Sequence, residues 1–506
     1  MEYVQIPKTV TYKELIERSS LSPSSYKTLS LKNKNVNKIN ELISEKPRKG
    51  LEVGSSSYIR KSKFFFIRTK ALQTSYFLPI LDNTECAVPI LPIVFKDFEL
   101  QKGDILISKD ANIGESAFLN EDLPNSMISG GIVRLRFSED IKHYVFAFMK
   151  SDFFKSQIEL MIPRGATMKH AKTLWLDAVI PFPNQQNKDE IIKFVSLLVR
   201  AIIRKEAEIK NKYRTIIALI DKELNDNQKT GRFIFYMPTI KELQATGRLD
   251  ASIYSKELKH KIFSIENYKH EFSTLQQIGF KPRRGPNLAV SVIGQSIYSE
   301  ENKSNFFRLI EPMDITDFMI VRRYRYLGNK KQIPFLRKGD ILFGAEGSIG
   351  KVFIFCDALK NTITNYHGMA INKDKSDLIE NIFLGCFLSY LREEGILDRI
   401  SVGGQGGSVG KKKLLNLKIP KFPRDKKEEI TKYYYCPMNY TDSRLNLSDF
   451  ENEDLRIIAE SGIWQLDKQI KQIRRTIDEV LYRIIMDEEI QISFGFLKYN
   501  EEGLDI

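Results

Sequence analysis

The sequence has few cysteines and histidines, and it lacks any long apolar run. Only four cysteines and five histidines occur in 506 residues. The cysteines form no CxxC pair and the histidines no HExxH spacing, which argues against zinc-finger, disulfide-framework and zinc-hydrolase classes. No stretch of about 18 apolar residues is present, and the first 20 residues contain no apolar signal core. We therefore expect a protein of the reducing cytoplasm, with no membrane partner, no metal site and no cofactor of its own.

Common catalytic signatures are missing as well. The segment GSIGK at 347–351 is close to a phosphate-binding loop, but Ala345 replaces its first glycine and Val352 its Mg²⁺-holding Ser or Thr. There is no Asn-Pro-Pro-Tyr or Asp-Pro-Pro-Tyr stretch with which an adenine methyltransferase would hold a flipped base. We therefore predict a chain without a catalytic site. We also expect a structural turn at 347–351 and no metal-ligand role for lone histidines such as His367.

Positive charge exceeds negative charge. There are 78 lysines and arginines against 64 aspartates and glutamates, which gives a net charge of +14. Basic surface attracts phosphate backbones and releases their counterions, so the balance favours a polyanionic partner. The hydrophobic content of 42% is that of a globular protein, and the length requires more than one core.

The most informative feature is an internal repeat. Residues 102–114 read KGDILISKDANIG and residues 338–350 read KGDILFGAEGSIG. A second pair of similar segments follows, AVIPFPNQQNKDEII at 178–192 and LKIPKFPRDKKEEI at 417–430. Two halves with the same elements in the same order indicate one domain type used twice. The positions matched at a spacing of 236 are Gly103 and Gly339, Gly114 and Gly350, and Asn125 and Asn361.

Each repeat is predicted to be mostly β-structure with short helices, and a long helix follows it. Short apolar runs after Gly-Asp turns, as at 102–108, are typical of strands, so we expect an α+β fold. Residues 187–224 contain no proline or glycine and predict one helix of roughly 50 Å. Its apolar stripe is Val195, Leu198, Ile202, Ile209, Ile216 and Leu219, interrupted by Lys205 and Lys212. A second stripe near the C-terminus is Leu466, Ile470, Ile473, Ile477, Val480 and Ile484.

Narrow apolar stripes of this kind need a covering partner. The two helices could pack on each other, or each could cover its own domain. The spacing favours the paired arrangement, because both helices follow the repeat at the same place.

The motifs resemble those of the specificity subunits of type I restriction–modification enzymes. The two KGDIL segments are similar to that family's glycine–aspartate strand motif. Residues 163–183 and 403–423 are similar to its glycine loop and proline-ended strand, and the acidic stretches at 188–192 and 426–430 to its helix start. GRLDASIYSKEL at 247–258 resembles the start of its second recognition domain. The first half lacks such a start, and an insertion near 436–463 interrupts the second helical segment.

The resemblance implies two target-recognition domains separated by long helices that pair as an antiparallel coiled coil. The implied divisions are 1–186 and 229–424 for the recognition domains, 187–228 and 425–490 for the helical spacers, and 491–506 for a tail. Each domain would read one half of an asymmetric, two-part sequence in double-stranded DNA. Two methyltransferase subunits would supply S-adenosylmethionine and methylate adenine, and a motor–nuclease subunit using ATP and Mg²⁺ could join to cleave DNA.

Two other functions remain open from the residues alone. The chain could be a nuclease or modification enzyme with an unrecognised site, or a basic module that binds RNA or protein. For DNA binding, we single out basic and amide side chains near glycines and turns, since these groups contact phosphates and base edges. The expected DNA-binding residues are Arg164, Lys169, Lys281, Arg283, Arg284, Arg322, Arg323, Arg325, Gln405, Lys411, Lys412 and Lys413.

Overall fold

The computed structural model divides the chain into two compact units. It describes residues 3–110, 112–161, 173–247, 249–375, 377–397, 401–402, 407–437 and 446–495. Unit 1 consists of Met1–Ala207, Tyr440–Ala459 and Lys468–Tyr499, and unit 2 of Glu208–Asn439, Glu460–Asp467 and Asn500–Ile506. No helix in the described part of the chain combines the length and apolar character that spanning a bilayer requires. The mixture of strands and helices confirms the α+β class.

The described residues of unit 1 form short strands and four short α-helices before a long one. Its described strands are β1 (Val4–Gln5), β2 (Thr28–Leu29), β3 (Val36–Lys38), β4 (Arg48–Lys49), β5 (Phe65–Ile67), β6 (Ala87–Pro89), β7 (Ile105–Ser108), β8 (Ser116–Phe118), β9 (Ser126–Ile128), β10 (Ile132–Leu135) and β11 (Val179–Pro181). Its helices are α1 (Tyr12–Arg18), α2 (Ile39–Leu42), α3 (Lys142–Lys150) and α4 (Asp152–Met161), and α5 (Lys188–Asp226) begins in this unit.

Unit 2 repeats the same plan. Its described strands are β12 (Phe272–Thr274), β13 (Lys281–Arg284), β14 (Ile297–Ser299), β15 (Phe307–Leu309), β16 (Arg325–Gly328), β17 (Ile341–Gly344), β18 (Val352–Ile354), β19 (Thr362–Ile363), β20 (Gly368–Asn372) and β21 (Lys418–Pro420). The later helices of the chain are α6 (Ile240–Thr246), α7 (Lys256–Glu266), α8 (Val290–Ile293), α9 (Leu378–Glu393), α10 (Lys411–Leu415), α11 (Arg424–Tyr434), α12 (Phe450–Glu460) and α13 (Ile463–Met486). Most of α12 and α13 belongs to unit 1.

The sheet topology confirms the internal repeat. The order β4-β10-β7-β8 in unit 1 matches β13-β20-β17-β18 in unit 2, and β6-β5-β9 matches β16-β15-β19. The strand register is also the same. Val133 pairs with Ile107 in unit 1, and the residues 236 positions after them, Met369 and Phe343, pair with each other in unit 2. In unit 1 the two sheets enclose one core that includes Phe66, Leu106 and Ile132.

The repeated KGD motif forms the same turn in both units. Gly103 and Gly339 have φ values of 97° and 89°, a left-handed conformation that glycine adopts without steric cost. The next residue, Asp104 or Asp340, accepts a hydrogen bond at 2.9 Å from the backbone N–H three residues before it. The motif therefore sets the start of β7 and β17, which is why it recurs. The GSIGK segment is likewise a turn, with Gly347 and Gly350 at positive φ.

Short breaks separate two pairs of consecutive elements. Residues 129–131 separate β9 from β10, and Ser151 separates α3 from α4. At Ser151 the side chain donates to Phe148 O and accepts from the Phe154 N–H, which ends one helix and begins the next.

The long helices run antiparallel within unit 1. Just before α5, Asn184 and Gln185 donate to Asp487 and Glu488, which follow α13. Further along α5, Glu206 forms an ion pair with Arg474 of α13 at 3.2 Å. Glu206 also accepts hydrogen bonds from the Phe77 and Leu78 backbone N–H groups. The paired helices were predicted, and α5 also covers its own domain, so the two alternatives coexist.

Candidate nucleic-acid interface

The basic cluster of Lys281, Arg283 and Arg284 lies on a strand. The sequence had suggested a turn-rich segment there. Lys281, Arg283 and Arg284 belong to β13, which pairs antiparallel with β20 at the edge of its sheet. An edge strand tolerates the buried Pro282, because one row of its backbone groups has no strand partner. The expectation failed because the flanking Pro and Gly residues imply a turn, while the pairing comes from residues about 90 positions away.

Successive side chains of β13 have different partners. Arg284 forms an ion pair with Glu346 at 3.5 Å, and Lys281, at the other end of the strand, pairs with Asp374 at 2.7 Å. The Lys281 ammonium lowers the pKa of the Asp374 carboxyl. Arg283 is exposed, and its guanidinium reaches Phe335 O at 3.5 Å. The basic side chains of β13 are therefore exposed to solvent.

The lysines after the second glycine loop are brought next to β13. They occupy α10, which packs against that strand. Lys411 and Lys412 are exposed, and Lys413 is partly buried. Basic groups that are about 130 residues apart in the sequence therefore lie on neighbouring elements of unit 2.

Two of the arginines around β16 form ion pairs with acidic residues of the same unit. Arg323 and Arg325 both pair with Asp314, which is fully buried. Arg325 also pairs with Glu311. Burial raises the pKa of Asp314, and Arg323 opposes that shift. Arg325 therefore orders the segment before β16, while Arg323, whose side chain is 49% exposed, can also reach an outside partner.

The loop between β19 and β20 lies beside these groups. Asn365 donates to Glu311 at 2.5 Å, and its own side-chain oxygen accepts from the His367 backbone N–H. The Tyr366 ring lies 3.9 Å from the His367 ring and is 42% exposed. His367 Nδ1 is 3.6 Å from the Glu346 carboxylate. We call Arg284, Glu346, Tyr366 and His367 the reading surface of unit 2.

The matching loop of unit 1 is different in kind. Positions 129–131 are Ser-Gly-Gly, where unit 2 has Asn-Tyr-His. A Cβ on Gly130 would come within 2.2 Å of a Glu52 carboxylate oxygen, so no larger residue fits unless Glu52 moves. The turn nearby carries Asp110, which pairs with Lys109 at 2.8 Å. The two units therefore present different side chains on one shared framework.

Three of the twelve predicted DNA-binding residues, Arg164, Lys169 and Gln405, lie outside the described residues. All twelve stay predictions. Glu346, Tyr366 and His367 were not among them. Aligning the repeats could have found Glu346, because Asp110 stands at its matched position 236 residues earlier. Among the described residues, no group of three or more histidine, cysteine or acidic side chains could hold a metal ion.

The α10 lysines give a first test. Replacing Lys411 and Lys412 together by alanine should weaken DNA binding about equally for all sequences and reduce the slope of log affinity against log salt by about 2. Fluorescence anisotropy over a salt series measures this slope. The matched control changes Lys241 and Lys256, exposed lysines of α6 and α7, to alanine. Equal slopes in both double variants would contradict a role for α10.

Comparison with known proteins gives one family match and several structural ones. Residues 295–433 match the model of the type I restriction modification DNA specificity domain. This match confirms the resemblance seen in the motifs of the second half. No protein of curated function matches the sequence.

Solved structures of similar extent include type I system components. The S subunit of a type I restriction–modification system from M. genitalium is 14% identical, with 89% of this chain and 95% of that chain covered and a TM-score of 0.39. The HsdS subunit from Thermoanaerobacter tengcongensis is 15% identical, with coverages of 89% and 96% and a TM-score of 0.26. A chain from a study of complex assembly and conformational transition of the type I R-M system is 14% identical, with coverages of 90% and 99% and a TM-score of 0.29.

Proposed function

Because residues 295–433 carry a type I restriction modification DNA specificity domain, we propose that the whole chain is the DNA sequence-specificity subunit of a type I restriction–modification complex. The family match lies in the second half of the chain. The observation that extends it is the shared sheet order of units 1 and 2, with the same register in β7–β10 and β17–β20. A domain used twice in one chain implies a target with two parts.

The two parts of the target are expected to differ in sequence. The two units have the same strand order but differ in one loop, which is residues 129–131 in unit 1 and residues 365–367 in unit 2. Base edges are read by the few side chains that reach the groove, while the framework and its basic groups set the position on the backbone. An asymmetric, bipartite DNA sequence fits one framework with two different reading loops.

The chemistry would belong to partner subunits. In this proposal, the chain itself holds no S-adenosylmethionine, ATP or Mg²⁺, and its contribution is selection of one DNA sequence over others. Two methyltransferase subunits would transfer methyl groups to adenine. A motor–nuclease subunit would cleave unmethylated DNA when it is present.

Mapping of methylated adenines in host DNA tests the proposal. Deletion of this chain should abolish adenine methylation at one two-part motif, and re-expression should restore it. Exchange of residues 229–424 for the equivalent domain of a relative should change one half of the motif and leave the other half unchanged. Methylation that persists after deletion would refute the proposal. A re-expressed chain without its methyltransferase partner should restore nothing, which separates specificity from catalysis.

A further inference from the structure

A carboxylate lies within the reading surface of unit 2, beside an arginine. Glu346 is in the turn between β17 and β18, and its side chain is 38% exposed. Its oxygen Oε2 is 3.5 Å from Nη2 of Arg284 and 3.6 Å from Nδ1 of His367. The carboxylate is thus held in place by a neighbour on β13 and a neighbour in the loop before β20, and it still faces outward.

Unit 1 has an acidic residue at the matched position. Asp110 lies 236 residues before Glu346 in the corresponding turn, and it pairs with Lys109 at 2.8 Å. The pairing cation comes from a different place in each unit, since Arg284 belongs to β13 and Lys109 is adjacent to Asp110. What the two turns share is therefore the carboxylate and a cation beside it.

A carboxylate opposes the approach of a phosphate backbone, because like charges repel. The parts of DNA that attract it are hydrogen-bond donors on base edges. In the major groove these donors are the exocyclic amines of cytosine and adenine, and carboxylates pair with cytosine N4 in particular. An arginine beside the carboxylate suits guanine, whose O6 and N7 both accept hydrogen bonds. In a C·G pair the cytosine amine and guanine O6 lie side by side, which matches an adjacent acceptor and donor on the protein.

We propose that Glu346 and Arg284 read one C·G base pair in the half-site of unit 2, with Glu346 accepting from cytosine N4 and Arg284 donating to guanine. This rests on the proposed function and names the residues that carry the specificity of the second domain. Asp110 reads an exocyclic amine in the other half-site by the same means.

The test measures binding of the full chain, in complex with its methyltransferase partner, to duplexes that carry the mapped motif and its single base-pair changes. Glu346→Gln keeps the shape of the side chain but adds a donor, and glutamine pairs with adenine N6 and N7. We expect this variant to lose roughly tenfold or more in affinity at one C·G position of one half-site and to prefer A·T there. All other positions should keep their wild-type preference.

One further variant serves as a control, and a second one tests the other half-site. Asp374→Asn makes the same change of charge at an exposed carboxylate of unit 2 that lies at the other end of β13, and it should leave every preference unchanged. Asp110→Asn should alter a single position in the opposite half-site. Duplexes with 2-pyrimidinone, which lacks the cytosine amine, test the contact on the wild-type protein and need no variant to fold.

The outcomes separate this inference from the function on which it rests. If Glu346→Gln binds every duplex with wild-type preference, or weakens all duplexes by the same factor, Glu346 only positions Arg284 and the proposal is overturned. It is also overturned if removal of the amine at each cytosine in turn leaves wild-type binding unchanged. If the wild-type complex shows no sequence preference at all, the proposed function itself fails.

Discussion

Replacing Asp454 by alanine should lower the free energy of unfolding by about 3–5 kcal/mol, because it leaves the Lys205 ammonium buried without its counter-charge. Lys205 lies in the apolar stripe of α5 and is fully buried, and Asp454 of α12 is 1% exposed. The neighbouring Arg204 strengthens the site by pairing with Asp454 at 3.4 Å and with Glu451. Denaturant unfolding, with the change in midpoint converted at constant slope, measures the loss.

A substitution on the same helix is the control. Glu453 of α12 pairs with Arg456 one turn further on, where both side chains retain solvent, so Glu453→Ala should cost no more than about 0.5 kcal/mol. Combining Lys205→Met with Asp454→Leu should recover most of the stability, since a matched apolar pair replaces the ions. If Asp454→Ala costs no more than Glu453→Ala, α12 is not held on α5 by this ion pair.

The Lys205–Asp454 ion pair could not be predicted from the sequence. The apolar stripe of α5 was visible, and Lys205 was visible as an interruption in it, but its partner lies 249 residues away in the insertion. Nothing local in the insertion marks Asp454 among its many acidic neighbours. The insertion is therefore joined to α5 by long-range ion pairs that pattern analysis could not assign.

Features that depend on local backbone geometry could be predicted. Gly103 and Gly339 need positive φ whatever surrounds them, so the repeat was readable from their spacing, and α5 was readable from its period. The candidate interface was only partly predictable. Lys281–Arg284 is extended because β20 supplies its hydrogen-bond partners, and β20 is distant in the sequence. Glu346 could not be identified as a candidate from its local sequence, because its role depends on Arg284 and His367, which the fold brings close to it.

The free energy of unfolding of the protein should rise with pH between about 7 and 8, and Lys150 is the expected cause. Lys150 ends α3, and its ammonium donates to Gln73 O and Ser116 O at 2.8 and 2.9 Å. Burial lowers the pKa of Lys150 to about 7, although Glu115 and Glu206 partly oppose the shift. In the unfolded chain a lysine titrates near 10.4, so between these values the unfolded state binds more protons. Stability therefore increases with pH there, by up to about 1.4 kcal/mol per unit, and is lost as pH falls towards 7.

Lys150→Met should remove most of this slope, because methionine keeps the apolar stem and has no proton to gain. A smaller slope near pH 7 remains in both proteins, because burial lowers the pKa of His143 to about 3. Unfolding in urea at several pH values from 7 to 8 measures the slope for both proteins. The range stops at 8 because burial raises the pKa of the Cys386 thiol, and titration of that thiol in the unfolded chain favours unfolding at higher pH. Lys70→Met removes the same charge at the surface of unit 1, where Lys70 pairs with Glu85 at 2.7 Å, and should leave the slope in place. An unchanged slope in Lys150→Met would show that the ammonium keeps its proton throughout this range, in which case its hydrogen bonds to the two carbonyls outweigh the cost of burying the charge.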